Sequence, residues 1–354
     1  MTATDRGAGR AVPPPPSVAD PTPVPDGAPA PAADLVPAAA AGEVAAAGRR
    51  HGRLWAYSKL AKLAFFDYYL SALVVWALLP PDLRTDPRAL LVLLLCTLGW
   101  LGTVAATVAF DDVTGYRDGS DARNYDPEQE ALRDRARKPL LDGHLTVAAA
   151  VRFGWASVGV AVVSLAAALA VAPHRPVWTV LLVPFVLLIS ANYSYGLKLS
   201  YRGFQELVIL ASTGLTILIP YGLATGEYTG MVGLLTYLFG LWSLLVSVYS
   251  NLNDVAGDRA AGRRSLAVRA PRRFYLGLIV ALTASETAAI ALALAVGAVP
   301  AWYPLFLLPV LALRAGQVRA GLLQDNPLGA RKLGVKAHRL GVVVVLLATL
   351  LAVR

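Results

Sequence analysis

The sequence lacks the residues from which disulfide frameworks and sulfur- or histidine-bound metal centres are built. Its 354 residues include 1 cysteine, Cys96, which excludes a disulfide network, a cysteine-ligated zinc site and an iron–sulfur cluster. The 4 histidines lie far apart in the chain, and no two have the spacing of a metal-binding pair. These absences exclude the metal sites that depend on sulfur or on paired histidines.

Charged residues are also scarce. They make up 16% of the chain, against about 25% in an average soluble domain. Hydrophobic residues make up 56% and occur in long blocks; blocks of about 20 such residues are what a helix needs to cross a bilayer. The composition therefore predicts a membrane protein.

The N-terminal residues differ from the rest of the chain. Residues 1–53 are rich in proline and alanine and contain few side chains that could form a core, which predicts a disordered tail. No apolar stretch follows Arg6 and Arg10, which argues against a signal peptide. Residues 54–354 are predicted to form a transmembrane domain.

Apolar segments recur throughout the second part of the chain, and each has the length to cross a hydrocarbon core of ~30 Å as a helix. Strands this long and this apolar do not give a barrel pattern, so the predicted fold class is all-α, with about nine transmembrane helices around a central cavity. The predicted spans are residues 60–79, 89–110, 145–171, 177–193, 204–225, 231–250, 274–296, 301–316 and 335–353.

Lysine and arginine are distributed unequally between the two sides of these spans. They concentrate in the loops after the second, fourth, sixth and eighth spans, whereas the opposite side has only Arg84, Arg88, Arg175 and Arg354. The bias predicts that the N-terminus and the four basic loops are cytoplasmic, in a plasma membrane. The net charge of +9 then reflects topology and attraction to anionic lipid, and gives no reason to invoke nucleic acid. The bias towards alanine, arginine and leucine indicates a bacterial source of high GC content.

Two groups of acidic residues interrupt this pattern, both at the predicted cytoplasmic ends of spans. The first, from Asp111 to Asp121, follows span two, and the second, from Asn251 to Asp258, follows span six. If each span continues as a helix, Asn251, Asp254 and Asp258 share one face, as do Asp111 and Asp118. An alternative interpretation is that both groups are solvated loop charges that merely end a helix. Two groups on one membrane face with helical spacing argue against it, because acids in such segments are costly unless they function.

Carboxylates this close repel one another unless a cation lies among them. Oxygen ligands suit Mg²⁺, which often bridges carboxylates to substrate phosphates. Neighbouring arginines and lysines can bind phosphate oxygens directly. The two groups together therefore predict a diphosphate site with bridging magnesium.

Several motifs resemble the UbiA superfamily of intramembrane prenyltransferases. The second acidic group, followed by Ser265-Leu-Ala-Val-Arg269, resembles its second aspartate motif, and the predicted nine spans equal its helix count. The segment Lys138-Pro-Leu, followed by Gly143-His-Leu-Thr146, resembles the family's basic-Pro-Leu and Gly-x-hydrophobic-Thr/Ser segment after the first motif. Tyr193-Ser194 with Lys198 resembles the family's Tyr-Ser…Lys element. Two stretches are similar to the menaquinone-type branch, namely Gly119-Ser-Asp121 and Leu199-Ser-Tyr-Arg-Gly-Phe-Gln-Glu206.

The first motif departs from the family pattern Asn-Asp-x-x-Asp. Asp111 stands at the asparagine position, Asp112 matches, and Gly115 replaces the next aspartate. Asp118, one turn further on the same predicted helical face, is expected to restore the missing ligand.

The resemblance implies a Mg²⁺-dependent prenyltransferase that uses a polyprenyl diphosphate of C15–C25 or longer. The implied catalytic residues are Asp111, Asp112, Asp118, Asp254 and Asp258, and Asp121 joins them as a metal ligand. The implied substrate-binding residues are Lys138, Tyr193, Tyr195, Lys198, Asn251, Arg263 and Arg264.

Other polar and aromatic residues within or beside the spans are weaker candidates. Asp67 and Glu286 lie inside predicted spans, where an acid is either a site residue or a hydrogen-bonded structural group. Lys59 and Lys62, at the cytoplasmic end of the first span, could reach the diphosphate, but they are expected to extend to lipid headgroups instead. The aromatic candidates for stabilising a carbocation are Tyr68, Tyr193, Tyr195, Tyr249 and Phe66, of which Tyr193 and Tyr195 are favoured by the family element around them.

Three functions remain open at this point. In the first, the prenyl cation is transferred to an aromatic or quinoid acceptor. In the second, which the altered first motif keeps open, the enzyme is a UbiA-type terpene cyclase and the cation reacts with the substrate's own double bonds. In the third, the chain is a non-catalytic transporter; carriers, however, place charges near the bilayer midplane, whereas these acids lie at helix ends.

Overall fold

The regular secondary structure is helical wherever the chain is described. The computed structural model describes residues 52–64, 66–125 and 135–353, and no strand occurs among them. The predicted all-α class is confirmed. The predicted tail, residues 1–53, falls almost entirely outside the described residues and stays a prediction.

Twelve α-helices form the described part of the chain, and three 3₁₀ turns, Phe66–Tyr68, Arg135–Arg137 and Leu199–Arg202, connect some of them. The helices are α1 Arg53–Leu60, α2 Ser71–Leu78, α3 Pro87–Arg117, α4 Ser120–Asn124, α5 Val147–Val171, α6 Val177–Ala191, α7 Gln205–Thr225, α8 Gly230–Ala260, α9 Leu266–Arg269, α10 Arg272–Ala295, α11 Tyr303–Val318 and α12 Pro327–Ala352.

Seven helical segments within the described residues are long and apolar enough to span a membrane. Six of them are α3, α5, α7, α8, α10 and α12. The seventh consists of α11 and the π-helical turn Arg319–Leu323 that continues it. The first and fourth predicted spans correspond to shorter apolar helical segments, Phe66–Leu78 and Val177–Ala191. The 15 residues of α6 extend about 22 Å at 1.5 Å per residue, which is short of the ~30 Å core. The multi-pass fold is confirmed, but the count of nine spans is not.

The first predicted span, residues 60–79, is interrupted in the structure. α1 ends at Leu60 and α2 begins only at Ser71. Between them Lys62 adopts a left-handed conformation with φ of 53°, and its side chain reaches Asp112 on α3. A continuous helix facing lipid would leave this charge in hydrocarbon, so the break brings the lysine to its partner.

Helix α8 lies at the centre of the bundle. About four fifths of its most apolar segment is buried, 78% against 22% for the outer helix α10. Phe239 and Trp242 of α8 belong to the largest core cluster, which also contains residues of α2, α11 and α12. α3 and α5 approach closely at Gly102, where a Cβ atom would lie 2.6 Å from the carbonyl oxygen of Ser157. The core thus fixes α3 and α8, the two helices that carry the predicted acidic motifs.

The acids predicted inside spans are both paired with basic side chains. Glu286 accepts hydrogen bonds from Trp242 Nε1 at 2.6 Å and Arg314 Nε at 2.8 Å, and its side chain and that of Arg314 are fully buried. Asp67 accepts from Arg339 Nε at 3.2 Å. These contacts fit the structural interpretation of both acids.

Candidate active site

A chamber of about 280 Å³ lies inside the bundle. Its lining residues on α3 extend from Trp100 to Asp111, about 16 Å along the helix at 1.5 Å per residue. Its aromatic lining residues are Tyr68, Tyr69, Trp100, Tyr193 and Phe239. The chamber therefore connects an aromatic interior to the first acidic group.

The chamber wall is richer in hydroxyl groups than the leucine, valine and alanine composition of the helices suggests. Nine of its lining residues are serines or threonines. Several of these hydroxyls donate to their own helix backbone, including Thr103 to the carbonyl of Gly99 at 2.8 Å and Thr213 to that of Ile209 at 2.5 Å. Their protons are thus satisfied by the backbone, and their oxygen lone pairs remain for other contacts.

In the first acidic group, Asp112 is buried between two lysines. It accepts hydrogen bonds of 2.7 Å from both Lys62 Nζ and Lys138 Nζ. Lys62 also donates to the backbone carbonyl of Arg137. The expectation that Lys62 extends to lipid headgroups is wrong, because the break after α1 turns this lysine inwards. Lys59, in contrast, lies over the ring of Trp55.

Asp111 faces the chamber beside this ion-paired cluster. Its Oδ1 accepts a hydrogen bond of 2.7 Å from Ser194 Oγ, and its Oδ2 lies 4.0 Å from Lys138 Nζ. Tyr193, next to Ser194 in the sequence, lines the chamber with Asp111. The Tyr193-Ser194 element therefore places one ring in the chamber and one hydroxyl on the acid.

The chain turns back towards α3 immediately after the first motif. Gly119 has φ of 74°, a conformation that glycine adopts without steric cost, and α4 follows it. On α4 the carboxylate of Asp121 lies 2.8 Å from Lys138 Nζ. Burial raises the pKa of Asp121 to about 6; Lys138 opposes this shift, and the carboxylates of Asp112 and Asp111 add to it. Burial alone would lower the pKa of Lys138, but Asp112 and Asp121 together raise it well above its ordinary value.

The second acidic group lies at the end of α8. Asp254 and Asp258 are both buried. Asp258 Oδ1 accepts a hydrogen bond of 3.0 Å from Asn124 Nδ2 of α4, and Asp254 Oδ1 accepts one of 3.1 Å from Asn253 Nδ2. The short helix α4 thus carries Asp121 of the first acidic group and contacts the second group through Asn124.

Arg263 joins the two groups. Its Nε lies 3.6 Å from Asp118 Oδ2 and 3.9 Å from Asp258 Oδ1. The guanidinium stacks on the ring of Tyr201, 4.4 Å from the ring centroid, and the Tyr201 hydroxyl donates to Asp118. Burial acts to lower the pKa of Arg263, but the surrounding acids, Asp111 first, raise it above its ordinary value. The structure therefore brings Asp118 of the first motif and Asp258 of the second to one cation.

Asn251 is held by neighbours on other helices. Its Oδ1 accepts a hydrogen bond of 2.7 Å from Gln205, and its Nδ2 donates to Glu206 at 3.3 Å. The Tyr275 hydroxyl donates to the same Glu206 carboxylate at 3.0 Å. In this arrangement Asn251 connects α8 to α7 and α10.

Three residues predicted to bind substrate lie away from both the chamber lining and the acidic groups. Tyr195 stacks on Phe110 at a centroid distance of 4.6 Å. Lys198 is exposed over the ring of Tyr201. Arg264 has an exposed side chain, and its backbone N–H donates to the carbonyl of Tyr201. Of the two tyrosines only Tyr193 lines the chamber, and of the two arginines only Arg263 contacts the acidic groups through its side chain.

Two of the weaker aromatic candidates are also elsewhere. Phe66 is half exposed, with Arg339 over its ring, and Tyr249 is buried in the cluster between α8, α10 and the π-helical turn. Tyr68 lines the chamber as expected.

Four contacts at the site involve side chains that the sequence patterns did not single out as ligands. They are the contacts of Lys62, Asn124, Ser194 and Tyr201. Ser194 and Tyr201 lie within segments that resemble family motifs, so the resemblance could have identified them as site residues. Nothing in the sequence distinguishes Asn124 from an ordinary loop residue.

The donor set of this region fits a hard divalent cation. The acids offer oxygen ligands alone, which Mg²⁺ prefers. Arg263 lies between Asp118 and Asp258, which shows that the space between the two groups accommodates positive charge. No group of three or more acidic, histidine or cysteine side chains is already gathered around one point within the described residues.

The helical bundle, with its central chamber and the paired acidic and basic groups beside it, defines the class of polytopic intramembrane proteins. A model of the UbiA prenyltransferase family matches residues 68–351. The chain belongs to the UbiA prenyltransferase family.

Solved structures with a similar fold are known. The chain is similar to the structure of digeranylgeranylglyceryl phosphate synthase, with a TM-score of 0.56 and 14% identity, covering 85% of this chain and 98% of that one. It is also similar to a UbiA homolog from Archaeoglobus fulgidus bound to GPP and Mg²⁺, with a TM-score of 0.54 and 13% identity, covering 80% and 98%. At these identities the likeness shows the fold. A comparison with curated proteins found no match.

Proposed function

We propose that the protein ionises a prenyl diphosphate of C15–C25 or longer with the help of Mg²⁺ and transfers the prenyl group to an aromatic or quinoid acceptor. One observation carries the proposal: Arg263 lies within 4 Å of both Asp118 and Asp258, beside the chamber that Asp111 lines. Two acidic groups, one cation and an aromatic chamber are the parts that this reaction requires. The archaeal relative bound to GPP and Mg²⁺ supports the same substrate class.

The diphosphate would be held where the two acidic groups meet. Arg263 and Lys138 can donate to its oxygens, Arg263 in bidentate fashion. The carboxylates proposed to hold magnesium are Asp111, Asp112, Asp118, Asp121, Asp254 and Asp258. Bound Mg²⁺ would supply positive charge that offsets the charge developing on the diphosphate oxygens.

The prenyl chain would occupy the chamber. Its allylic carbon–oxygen bond breaks heterolytically, and the electron pair leaves with the diphosphate. Tyr193, adjacent to the Ser194–Asp111 contact, and Tyr68 can stabilise the allylic cation through their rings. The helices around the chamber would limit access of water, which would otherwise capture the cation.

In the transfer reaction an electron-rich carbon of the acceptor attacks the cation. A carbon–carbon bond forms, and the proton on that carbon is then lost to a base or to water. The basic loops that carry Lys138 and Arg263 suggest that both substrates enter from the cytoplasmic side of a plasma membrane. The lipid bilayer would deliver the isoprenoid laterally.

Intramolecular cyclisation is the second candidate function, and one observation favours it. Five aromatic side chains from different parts of the chain surround the chamber, an arrangement that can stabilise successive cations on a folded prenyl chain. In this case the cation reacts with the substrate's own double bonds, and a proton is lost from the product.

The test is product analysis with purified protein in lipid nanodiscs. Farnesyl, geranylgeranyl and C25 diphosphates are supplied with Mg²⁺, with and without dihydroxynaphthoate or hydroxybenzoate, and released diphosphate and organic extracts are measured. Diphosphate release that requires an acceptor supports the transferase. Hydrocarbon formed without an acceptor supports the cyclase. The absence of turnover under every condition contradicts both and favours the transporter interpretation.

A further inference from the structure

The chamber ends against the protein core on the side away from the acidic groups. The lining residues furthest from those groups on α3, α7 and α8 are Trp100, Thr216 and Phe239. The next residues on the same helical faces, three to four positions further along each helix, are buried in the core clusters: Cys96, Ile219 and Leu235. The chamber therefore has a floor, in which Trp100 and Phe239 are the large side chains.

The two rings of the floor are held by packing on different sides of the bundle. Trp100 is 4% exposed and belongs to the core cluster that α3 shares with α5, α6 and α7. Phe239 is 1% exposed and belongs to the cluster with α2, α11 and α12, where the ring of His338 meets it edge-on at a centroid distance of 5.1 Å. Because packed interiors yield little to an added group, a substrate that reaches the floor has to stop there.

The depth of the chamber is the same on two helices. The lining runs from Asp111 to Trp100 on α3 and from Ser250 to Phe239 on α8, in each case about 16 Å at 1.5 Å per residue. An isoprene unit adds four carbon–carbon bonds to a prenyl chain, and at about 1.5 Å per bond an extended unit spans about 5 Å. Three units thus fill the distance from the acidic groups to the floor, and a fourth has to fold back or pass between helices.

We infer that Trp100 and Phe239 set the length of the prenyl chain, and that the protein prefers farnesyl (C15) diphosphate to the C20 and C25 diphosphates. The inference rests on the proposed function, because it narrows the substrate of the same chamber. It also identifies a position that would shorten the chamber. Ser243 lines the chamber one helical turn above Phe239, so a larger side chain there raises the floor by about 5.4 Å, the length of one isoprene unit.

The experiment measures kcat/KM for diphosphate release from geranyl, farnesyl, geranylgeranyl and C25 diphosphates in nanodiscs with Mg²⁺, with and without an aromatic acceptor. The wild-type protein should prefer farnesyl to geranylgeranyl diphosphate at least about 10-fold, since a closed pocket rejects even one additional methylene by about 10- to 200-fold. Trp100→Ala and Phe239→Ala should each reduce this preference at least about 10-fold, because each removes a ring from the floor. Ser243→Leu should move the preference to geranyl diphosphate. Each result is a ratio between two substrates on one sample, so the amount of folded protein does not affect it.

The matched control is Trp76→Ala on α2. It removes an indole that lies outside the chamber lining and donates to the carbonyl of Arg84, and it should leave the ratios unchanged. A wild-type protein that uses another chain length at least as well as farnesyl diphosphate overturns the inference while the proposed function stands. Unchanged ratios in the two floor variants, or a wild-type preference in Ser243→Leu, also overturn it. If the wild-type protein releases diphosphate from none of the substrates, the proposed function fails and the inference with it.

Discussion

Asn124 and Asp258 are 134 residues apart in the sequence, yet the Asn124 amide donates a 3.0 Å hydrogen bond to the Asp258 carboxylate. This contact ties the segment that follows the first acidic motif to the second motif. It requires a close approach of α4 to α8, which Gly257 permits. The two motifs are therefore one structural unit.

Gly257→Ala is expected to lower turnover at least about 10-fold, since the added methyl group would displace Asn124 and with it α4. The matched control is Gly277→Ala on α10, where a Cβ atom meets no other atom within 4 Å. That change should leave turnover unchanged and stabilise the helix by about 0.5–1 kcal/mol. Diphosphate release and thermal unfolding measure both effects. Equal rates for the two variants would contradict the role of α4.

Lys62→Met is expected to destabilise the protein, because it leaves Asp112 with Lys138 alone in a buried position. Removing one partner of a buried ion pair typically costs about 3–5 kcal/mol. Lys59→Met, three residues earlier and placed over Trp55, should change the unfolding free energy by less than about 1 kcal/mol. Denaturation of both variants in the same detergent measures their free energies of unfolding. Similar values for the two variants would show that the ion pair between Lys62 and Asp112 does not stabilise the protein.

Glu286→Leu should also destabilise by about 3–5 kcal/mol, because the fully buried Arg314 loses its carboxylate. Replacing both residues, as Glu286→Leu/Arg314→Met, should recover most of that loss. Neither variant is expected to change Mn²⁺ affinity, since the pair lies outside the acidic groups. A double variant less stable than Glu286→Leu would contradict the interpretation of a simple structural pair.

Tyr193→Leu should lower turnover by about 2- to 30-fold, the range of a cation–π contact worth about 0.5–2 kcal/mol. Tyr195→Leu is the comparison, because this ring stacks on Phe110 and does not line the chamber. Its rate should stay near wild type once corrected for the amount of folded protein. A larger loss of turnover in the Tyr195 variant than in the Tyr193 variant would contradict the assignment of Tyr193 as the ring that stabilises the cation.

Much of the fold follows from the sequence because long apolar blocks leave the backbone few alternatives in a bilayer. The boundaries of α5, α7 and α10 agree with the predicted spans to within a few residues. The first span does not, because its end depends on where Lys62 finds a partner. Such a partner on a distant helix leaves no trace in local periodicity.

The candidate site, like the fold, could be predicted from the sequence only in part. The acidic motifs could be found from spacing and resemblance, since their carboxylates are expensive to place at helix ends without a purpose. The side chains around them could not, because single backbone turns decide which of two neighbours faces inwards. Gly119 sends Asp121 back over α3, and the bend at residues 193–195 separates Tyr193 from Tyr195.

The central claim is that carboxylates from two distant motifs act together on a prenyl diphosphate through shared divalent ions. The most direct test is Mg²⁺-dependent diphosphate release by Asp254→Ala and Asp258→Ala, compared with wild type at equal amounts of folded protein. The account predicts a loss of at least about 100-fold in each variant, the scale of several kcal/mol of charge stabilisation, and no activity of the wild-type protein in EDTA. Near-normal release by both variants, or release that persists without divalent ions, would contradict it.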